Sequence, residues 1–162
     1  MATAPSLDTL LQPLVGDARP LHEWLTTFHF ASVVIDPFTN ESSWILDTAA
    51  RILRQFYGAS VRVNFIVTSS AAEADQFLGP LAKEFLTFAD PDRVLVKQLG
   101  LGELPAFVFL RIDGTVPVAA EGWSAPAWRA VAEAIATMVS WKAPLIPSAG
   151  DPAAFRGTPA LA

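Results

Sequence analysis

The sequence predicts an α/β fold in which a mixed four-stranded sheet is flanked by helices on both faces. Short apolar, β-branched runs alternate along the chain with longer stretches whose apolar residues recur at helical spacing. Strands joined by such a helix are expected to be parallel, with a right-handed crossover. Asp113-Gly114 lies between two apolar runs and is the strongest signal for an antiparallel hairpin.

The first 29 residues predict a helical extension to this domain. Four leucines recur at helical spacing over residues 6–14, and Pro20 is suited to the first turn of a second short helix. The residues expected on the inner faces of these two helices are Leu7, Leu10, Leu11, Leu14, Leu21, Trp24, Leu25 and Phe28. Both helices are expected to pack on the main domain.

The first half of the main domain is predicted to contain a strand, a helix, a second strand and a second helix. Strands are expected over 31–35 and 61–68, and a helix over 43–57. A capping box of Ser70 and Glu73 predicts a helix that runs to about residue 83. Residues 85–89 are either a short extra strand or the end of that helix.

The second half begins with Asp90-Pro91-Asp92, which is typical of a helix start, and this helix is expected to end near Leu99. A hairpin of 106–112 and 115–120 follows, and then a last helix from Ser124 to about Trp141. The domain therefore spans residues 30–142. The tail, residues 143–162, has four prolines and no apolar period. It is expected to lie extended or disordered, so its deletion from about Pro147 should change stability little.

Residues 100–114, GLGELPAFVFLRIDG, resemble the stretch around the cis-proline of thioredoxin-like proteins. In that family a short helix ends in glycine, an apolar residue precedes the proline, and a strand leads to an Asp-Gly turn. Gly122-Trp123-Ser124 resembles the family's glycine before the last helix. The likeness covers about residues 30–141 and is greatest to the TlpA-like and peroxiredoxin-like branches. It implies a thioredoxin-like three-layer sandwich.

The sequence departs from this family at the redox site. The family carries Cys-x-x-Cys between the first strand and the first helix, and by alignment Thr39 and Ser42 stand in the cysteine positions. The chain has no cysteine, so disulfides and thiolate nucleophiles are excluded. A hydroxyl has a much higher pKa than a thiol and is not a useful nucleophile without a base. The resemblance therefore implies the fold without the chemistry.

A polar cluster of Thr39, Asn40, Ser42 and Ser43 precedes the predicted helix. These side chains can serve as helix caps. Alternatively, they can bind a carboxylate or phosphate at the helix N-terminus, although Glu41 in the same loop opposes an anion.

Leu104 and Pro105 occupy the place of the family's cis-proline. The resemblance implies a cis bond there and a Leu104 backbone free to pair with an extended peptide or with glutathione. The alternative is a structural turn without a ligand. Trp44 and Trp123 should border this edge, either as packing residues or as part of an interface.

Composition excludes several other functions. The net charge of -5 and the absence of a basic cluster argue against nucleic-acid and anionic membrane partners. No apolar run is long enough to span a bilayer, although the mean hydropathy is +0.37. The N-terminus lacks the basic region of a secretory signal, so a cytoplasmic location is expected. His22 and His29 are interpreted as structural, and neither a metal nor a cofactor is expected.

Two functions from different classes fit the sequence. The first is a redox-inactive binding or assembly module that takes a protein or peptide partner at the proline edge, or self-associates as a homo-oligomer. Its candidate site comprises Thr39, Ser42, Ser43, Trp44, Leu104, Pro105 and Trp123. The second is a hydroxyl-based glutathione-binding enzyme that uses Ser42 or Ser43. Such enzymes add an all-helical domain to the thioredoxin-like domain, and this chain is expected to have no room for one, which argues against the second function.

Overall fold

Strands and helices alternate along the computed structural model, which describes residues 2–161. The strands in that range are β1 (Leu10–Pro13), β2 (Arg19–Pro20), β3 (His29–Ile35), β4 (Val61–Val67), β5 (Leu86–Ala89), β6 (Glu103–Leu104), β7 (Ala106–Leu110), β8 (Val118–Glu121) and β9 (Thr158–Pro159). The helices there are α1 (Leu21–Trp24), α2 (Asn40–Trp44), α3 (Leu46–Arg54), α4 (Ala71–Leu78), α5 (Leu81–Glu84), α6 (Val94–Gln98) and α7 (Ala125–Met138).

Within the described residues, seven strands form one mixed sheet in the order β2-β1-β5-β4-β3-β7-β8. β3 and β4 are parallel, with Val33 opposite Phe65. β7 is antiparallel to both β3 and β8. The turn between β7 and β8 is closed by the Gly114 amide, which donates to the Arg111 carbonyl at 2.8 Å. The predicted parallel crossover and the predicted hairpin are therefore confirmed in one sheet.

Apolar residues fill both faces of this sheet. Successive strand residues point to opposite faces, and in β3 Ala31 and Val33 join a core with α3 and α7, whereas Phe30 and Val34 join a second core. The second core contains residues of α6 together with Leu21 of the N-terminal segment. The predicted three-layer arrangement is confirmed.

The sheet is wider than the predicted four strands because the N-terminal segment contributes to it. Residues 10–13 form β1, which pairs antiparallel with β5, so the helix predicted over 6–14 is wrong. Leu10 is exposed and Leu11 is buried, as expected for a strand. The second predicted helix is reduced to the single turn α1. Residues 86–89, for which the sequence left two alternatives, are a strand.

Two predicted helix starts are shifted in the structure. The helix predicted over 43–57 is divided into α2 and α3, and helix α6 begins at Val94, after the predicted Asp90 cap. The Asp90 carboxylate nevertheless caps α6, since it accepts hydrogen bonds from the amides of Val94, Leu95 and Val96. The capping box of Ser70 and Glu73 is present as predicted.

Candidate functional site

The residues that align with the redox cysteines lie at the start of α2, where Thr39 precedes the helix and Ser42 is within it. Thr39 Oγ1 donates to the Asp36 carbonyl at 3.0 Å, and Ser42 Oγ accepts from the Asp36 amide at 2.9 Å. Ser43 Oγ donates to the Asn40 carbonyl at 2.6 Å. Each of the three hydroxyls thus bonds to nearby backbone. Ser42 is fully buried, so an external thiol or peroxide cannot reach it.

Asp36, the residue after β3, also forms an ion pair that the sequence analysis did not predict. Arg93 Nη2 lies 2.9 Å from Asp36 Oδ2, and both side chains are largely buried. Arg93 Nη1 donates to the carbonyl of Ala160 in the tail. No local pattern could reveal this pair, because 57 residues separate its members. The pair links the loop before α2 to the tail.

Leu104 and Pro105 lie at a short edge outside the main sheet. Their peptide bond is cis, and both residues are buried. Strand β6 pairs antiparallel with β9, with Leu104 opposite Thr158. The expectation that the Leu104 backbone is free is therefore wrong, because the chain's own tail occupies this edge.

The tail is extended, as expected, but it is docked along residues 152–160. The amide of Trp123 donates to the Phe155 carbonyl at 2.9 Å, and the Phe155 amide donates back at 3.1 Å. Trp123 Nε1 donates to the Pro152 carbonyl at 2.7 Å. Trp123 is only 2% exposed, so it lies beneath the tail and does not border an open edge as predicted.

Two glycines allow the tail to approach this closely. A Cβ on Gly157 would lie 2.7 Å from the Leu104 oxygen, closer than real Cβ atoms come to neighbouring atoms. A Cβ on Gly122 would lie 3.0 Å from both the Gly157 nitrogen and the Phe155 oxygen. Gly122 also has a φ of +69°, in the left-handed region that favours glycine.

Two glutamates supply the charge at the docked edge. Glu103 Oε2 lies 2.6 Å from Arg156 Nε, and Glu103 Oε1 accepts from the Gly157 amide at 3.1 Å. The hydrogen bond from Arg156 lowers the pKa of Glu103 below its ordinary value. Glu121 Oε1 accepts from the amides of Gly102 and Glu103, each at 2.7 Å, and so holds the loop before the proline in place.

An exposed aromatic side chain lies beside this edge. Trp44, the last residue of α2, is 54% exposed. The Trp44 ring packs edge-on against Phe155 of the tail, with the ring centroids 5.4 Å apart. Of the two candidate tryptophans, only Trp44 is therefore available to a partner while the tail is docked.

The two histidines lie apart from this region. His29 Nδ1 accepts a hydrogen bond from the Ile112 amide at 2.9 Å, and its ring packs edge-on against Phe109. Partial burial, and then the charge of Arg111, lowers the pKa of His29. His22 is exposed. Within residues 2–161 no group of three or more potential metal ligands is found, and no helix is long and apolar enough to cross a membrane.

No protein-family model and no curated protein matches the sequence. Solved structures do match its fold. A putative thiol:disulfide interchange protein DsbE from Chlorobium tepidum superposes with a TM-score of 0.68 at 14% identity, over 86% of this chain and 97% of its own. A secreted Mycobacterium tuberculosis disulfide oxidoreductase homologous to E. coli DsbE gives 0.57 at 18% identity, over 73% and 86%.

A Xanthomonas campestris peroxiredoxin Q gives a TM-score of 0.63 at 16% identity, over 83% of this chain and 91% of its own. At these identities the likeness establishes the fold and not the activity. These two classes of neighbour agree with the TlpA-like and peroxiredoxin-like branches that the resemblance implied. The chain thus has the thioredoxin-like fold of DsbE-type and peroxiredoxin Q proteins, and it has this fold without a cysteine.

Proposed function

We propose that this protein is a redox-inactive binding module that takes an extended segment of a protein or peptide partner at strand β6. The observation that carries the proposal is the antiparallel pairing of β6 with β9, which lies outside the main sheet. This edge accepts an extended strand through main-chain hydrogen bonds. Such β-augmentation gives affinity without any thiol chemistry.

In this proposal the tail is an intramolecular occupant of the binding edge. A partner strand competes with residues 155–160, and the exposed ring of Trp44 offers it additional apolar contact area. The competition keeps the edge covered when no partner is present, which protects an unpaired strand from non-specific pairing. With a net charge of -5, the expected partner is a protein and not a nucleic acid.

The solved neighbours include a disulfide oxidoreductase and a peroxiredoxin, and neither activity transfers to a chain without cysteine. The alternative of a hydroxyl-based glutathione enzyme is less well supported by the site. Ser42 is buried against the Asp36 amide, and the exposed Ser43 hydroxyl donates to the Asn40 carbonyl. Both hydroxyls therefore form hydrogen bonds to the chain's own backbone.

The proposal is tested by freeing the edge in the full-length chain. Gly157→Val should displace the tail, because its side chain cannot fit beside the Leu104 oxygen. The matched control is Ala154→Val, an exposed position in the same tail. Both proteins are panned against a library of random extended peptides. Sequence-related peptides should be enriched by Gly157→Val and not by the control, whereas equal or absent enrichment contradicts the proposal.

A further inference from the structure

We infer that strand β6 selects partner segments with the pattern aromatic, basic, glycine, any two residues, small apolar residue. This inference rests on the proposed function and takes the docked tail as a sample of the ligand. The pattern is that of Phe155, Arg156, Gly157 and Ala160. Each of these four residues contacts a different feature of the edge. The contacts of the tail therefore indicate which side chains a competing segment needs at each position.

Glycine is the strictest requirement of the pattern. A Cβ at position 157 would lie 2.7 Å from the Leu104 oxygen and 2.9 Å from the Glu103 Cβ. The first of these neighbours is backbone, which cannot move aside as a flexible side chain does. The φ of Gly157 lies outside the left-handed region, so the requirement is one of space and not of backbone conformation. Even alanine is therefore expected to weaken binding.

The position three residues after the glycine requires a small side chain. Ala160 is 1% exposed and belongs to the apolar core on its side of the sheet. Its amide donates to the Gly102 carbonyl at 2.9 Å, and its carbonyl accepts from Arg93. Because both backbone groups are fixed, a larger side chain cannot be accommodated by a shift of the strand.

The aromatic and basic positions contribute less. Phe155 packs against Trp44, which is itself half exposed, and an aromatic pair adds modestly to area burial. The Arg156 side chain is 89% exposed, and exposed ion pairs contribute little. The expected order of importance is therefore glycine and the small residue first, the aromatic residue next, and the basic residue last.

The test uses fluorescent peptides of residues 153–161, AAFRGTPAL, titrated into full-length Gly157→Val and Ala154→Val proteins. The peptide should bind Gly157→Val at least about tenfold more tightly than the control, whose tail competes. In the peptide, Gly157→Ala and Ala160→Leu should each weaken binding at least about tenfold. Phe155→Ala should weaken it by about three- to tenfold, and Arg156→Glu by about two- to fivefold.

A charge-reversed protein tests whether the basic residue of the peptide acts through its ion pair with Glu103. Adding Glu103→Arg to the Gly157→Val protein should make it prefer the Arg156→Glu peptide over the native peptide. Amide exchange at Phe155 and Ala160 reports whether the tail has left the edge, because both amides are hydrogen-bonded when it is docked. If both stay protected in Gly157→Val, the steric argument for glycine is wrong.

The remaining outcomes separate this inference from the function on which it rests. Equal affinity for the native, Gly157→Ala and Ala160→Leu peptides would overturn the ligand pattern while leaving peptide binding in place. Failure of the freed edge to enrich any library peptide would overturn the proposed function itself. If the wild-type protein is a dimer and Gly157→Val dissociates it, the edge binds the tail of a second copy of the chain. That result would contradict the proposal of a separate partner protein.

Discussion

Gly122 illustrates at the scale of one residue how the tail and the domain depend on each other. Its left-handed φ disfavours a side chain, and so does the Gly157 nitrogen, which would lie 3.0 Å from an added Cβ. We expect Gly122→Ala to lower the free energy of unfolding by about 2–4 kcal/mol, the sum of conformational strain and a displaced tail. Denaturant unfolding measures this change.

Gly150 provides the matched control for that experiment. It has a φ of +90° but no atom within 4 Å of an added Cβ, so Gly150→Ala measures the backbone strain alone. Its cost should be about 1–2 kcal/mol. Equal losses in the two variants would mean that the tail does not press on Gly122, which contradicts the docking described above.

His29 makes stability depend on pH. Its pKa is lowered in the folded state, so the unfolded chain takes up a proton at higher pH than the folded chain does. The unfolded state is therefore favoured progressively as the pH falls below about 6.5, the ordinary pKa of histidine. Protonation also removes the Nδ1 lone pair that accepts the Ile112 amide.

We expect His29→Asn to reduce the loss of stability between pH 7.5 and pH 5.5, because asparagine offers an acceptor that does not titrate. Unfolding free energies of the variant and the wild type at several pH values measure the difference in slope. His22→Asn, at an exposed position, is the control and should retain the wild-type slope. A His29→Asn protein whose slope matches the wild type would contradict the assignment.

At the scale of elements, the tail contributes to the stability of the domain. Deleting residues 147–162 removes the β6–β9 pairing, uncovers Trp123 and breaks the 2.8 Å ion pair of Arg51 with Asp151. The sequence led us to expect only a small change in stability. From these contacts we instead predict that the deletion lowers the free energy of unfolding by about 3–5 kcal/mol. The melting temperature should fall by about 6–20 °C.

Leu145→Ala serves as the control for the deletion, because this tail residue is 75% exposed. It should leave the melting temperature within about 2 °C of the wild type, as surface substitutions generally do. A deletion variant as stable as Leu145→Ala would show that the tail contacts are energetically unimportant.

The elements also show why prediction succeeded in the centre of the chain and failed at its ends. The strands at 31–35 and 61–67 and the Asp113-Gly114 turn are specified by local residues. In contrast, the leucines of residues 7–14 fit a helix by spacing, and their strand conformation depends on pairing with β5. The tail has no apolar period, and its docking depends on a groove that only the folded domain provides.

The same distinction applies to the candidate site. The alignment placed Thr39 and Ser42 near the start of a helix, and in the structure Thr39 precedes α2 and Ser42 lies within it. It placed Leu104 and Pro105 at an edge that takes a strand. The strand itself, the Asp36–Arg93 pair and the buried position of Trp123 were not predictable. All three depend on contacts between residues that are distant in sequence, for which local patterns carry no information.

At the scale of the whole molecule, the thioredoxin-like fold is present without its chemistry. Because the chain has no thiol, the purified protein should give rates equal to a buffer blank in insulin-reduction and peroxide-consumption assays. A thioredoxin and a peroxiredoxin are the positive controls. Turnover above the blank that persists through repeated purification would show that a group other than cysteine performs redox chemistry here.

The central claim, that β6 is a peptide-binding edge covered by the chain's own tail, is tested most directly by locating a bound peptide. Isotope-labelled Gly157→Val protein is titrated with the AAFRGTPAL peptide, and amide shifts are mapped by NMR. We expect changes concentrated at residues 102–104, at Trp123 and at the indole of Trp44, with the Phe155 and Ala160 amides of the protein's own tail remaining in exchange with solvent. Shifts that are absent there, or that cluster around Phe109 and Met138, which line a separate pocket, would contradict this claim.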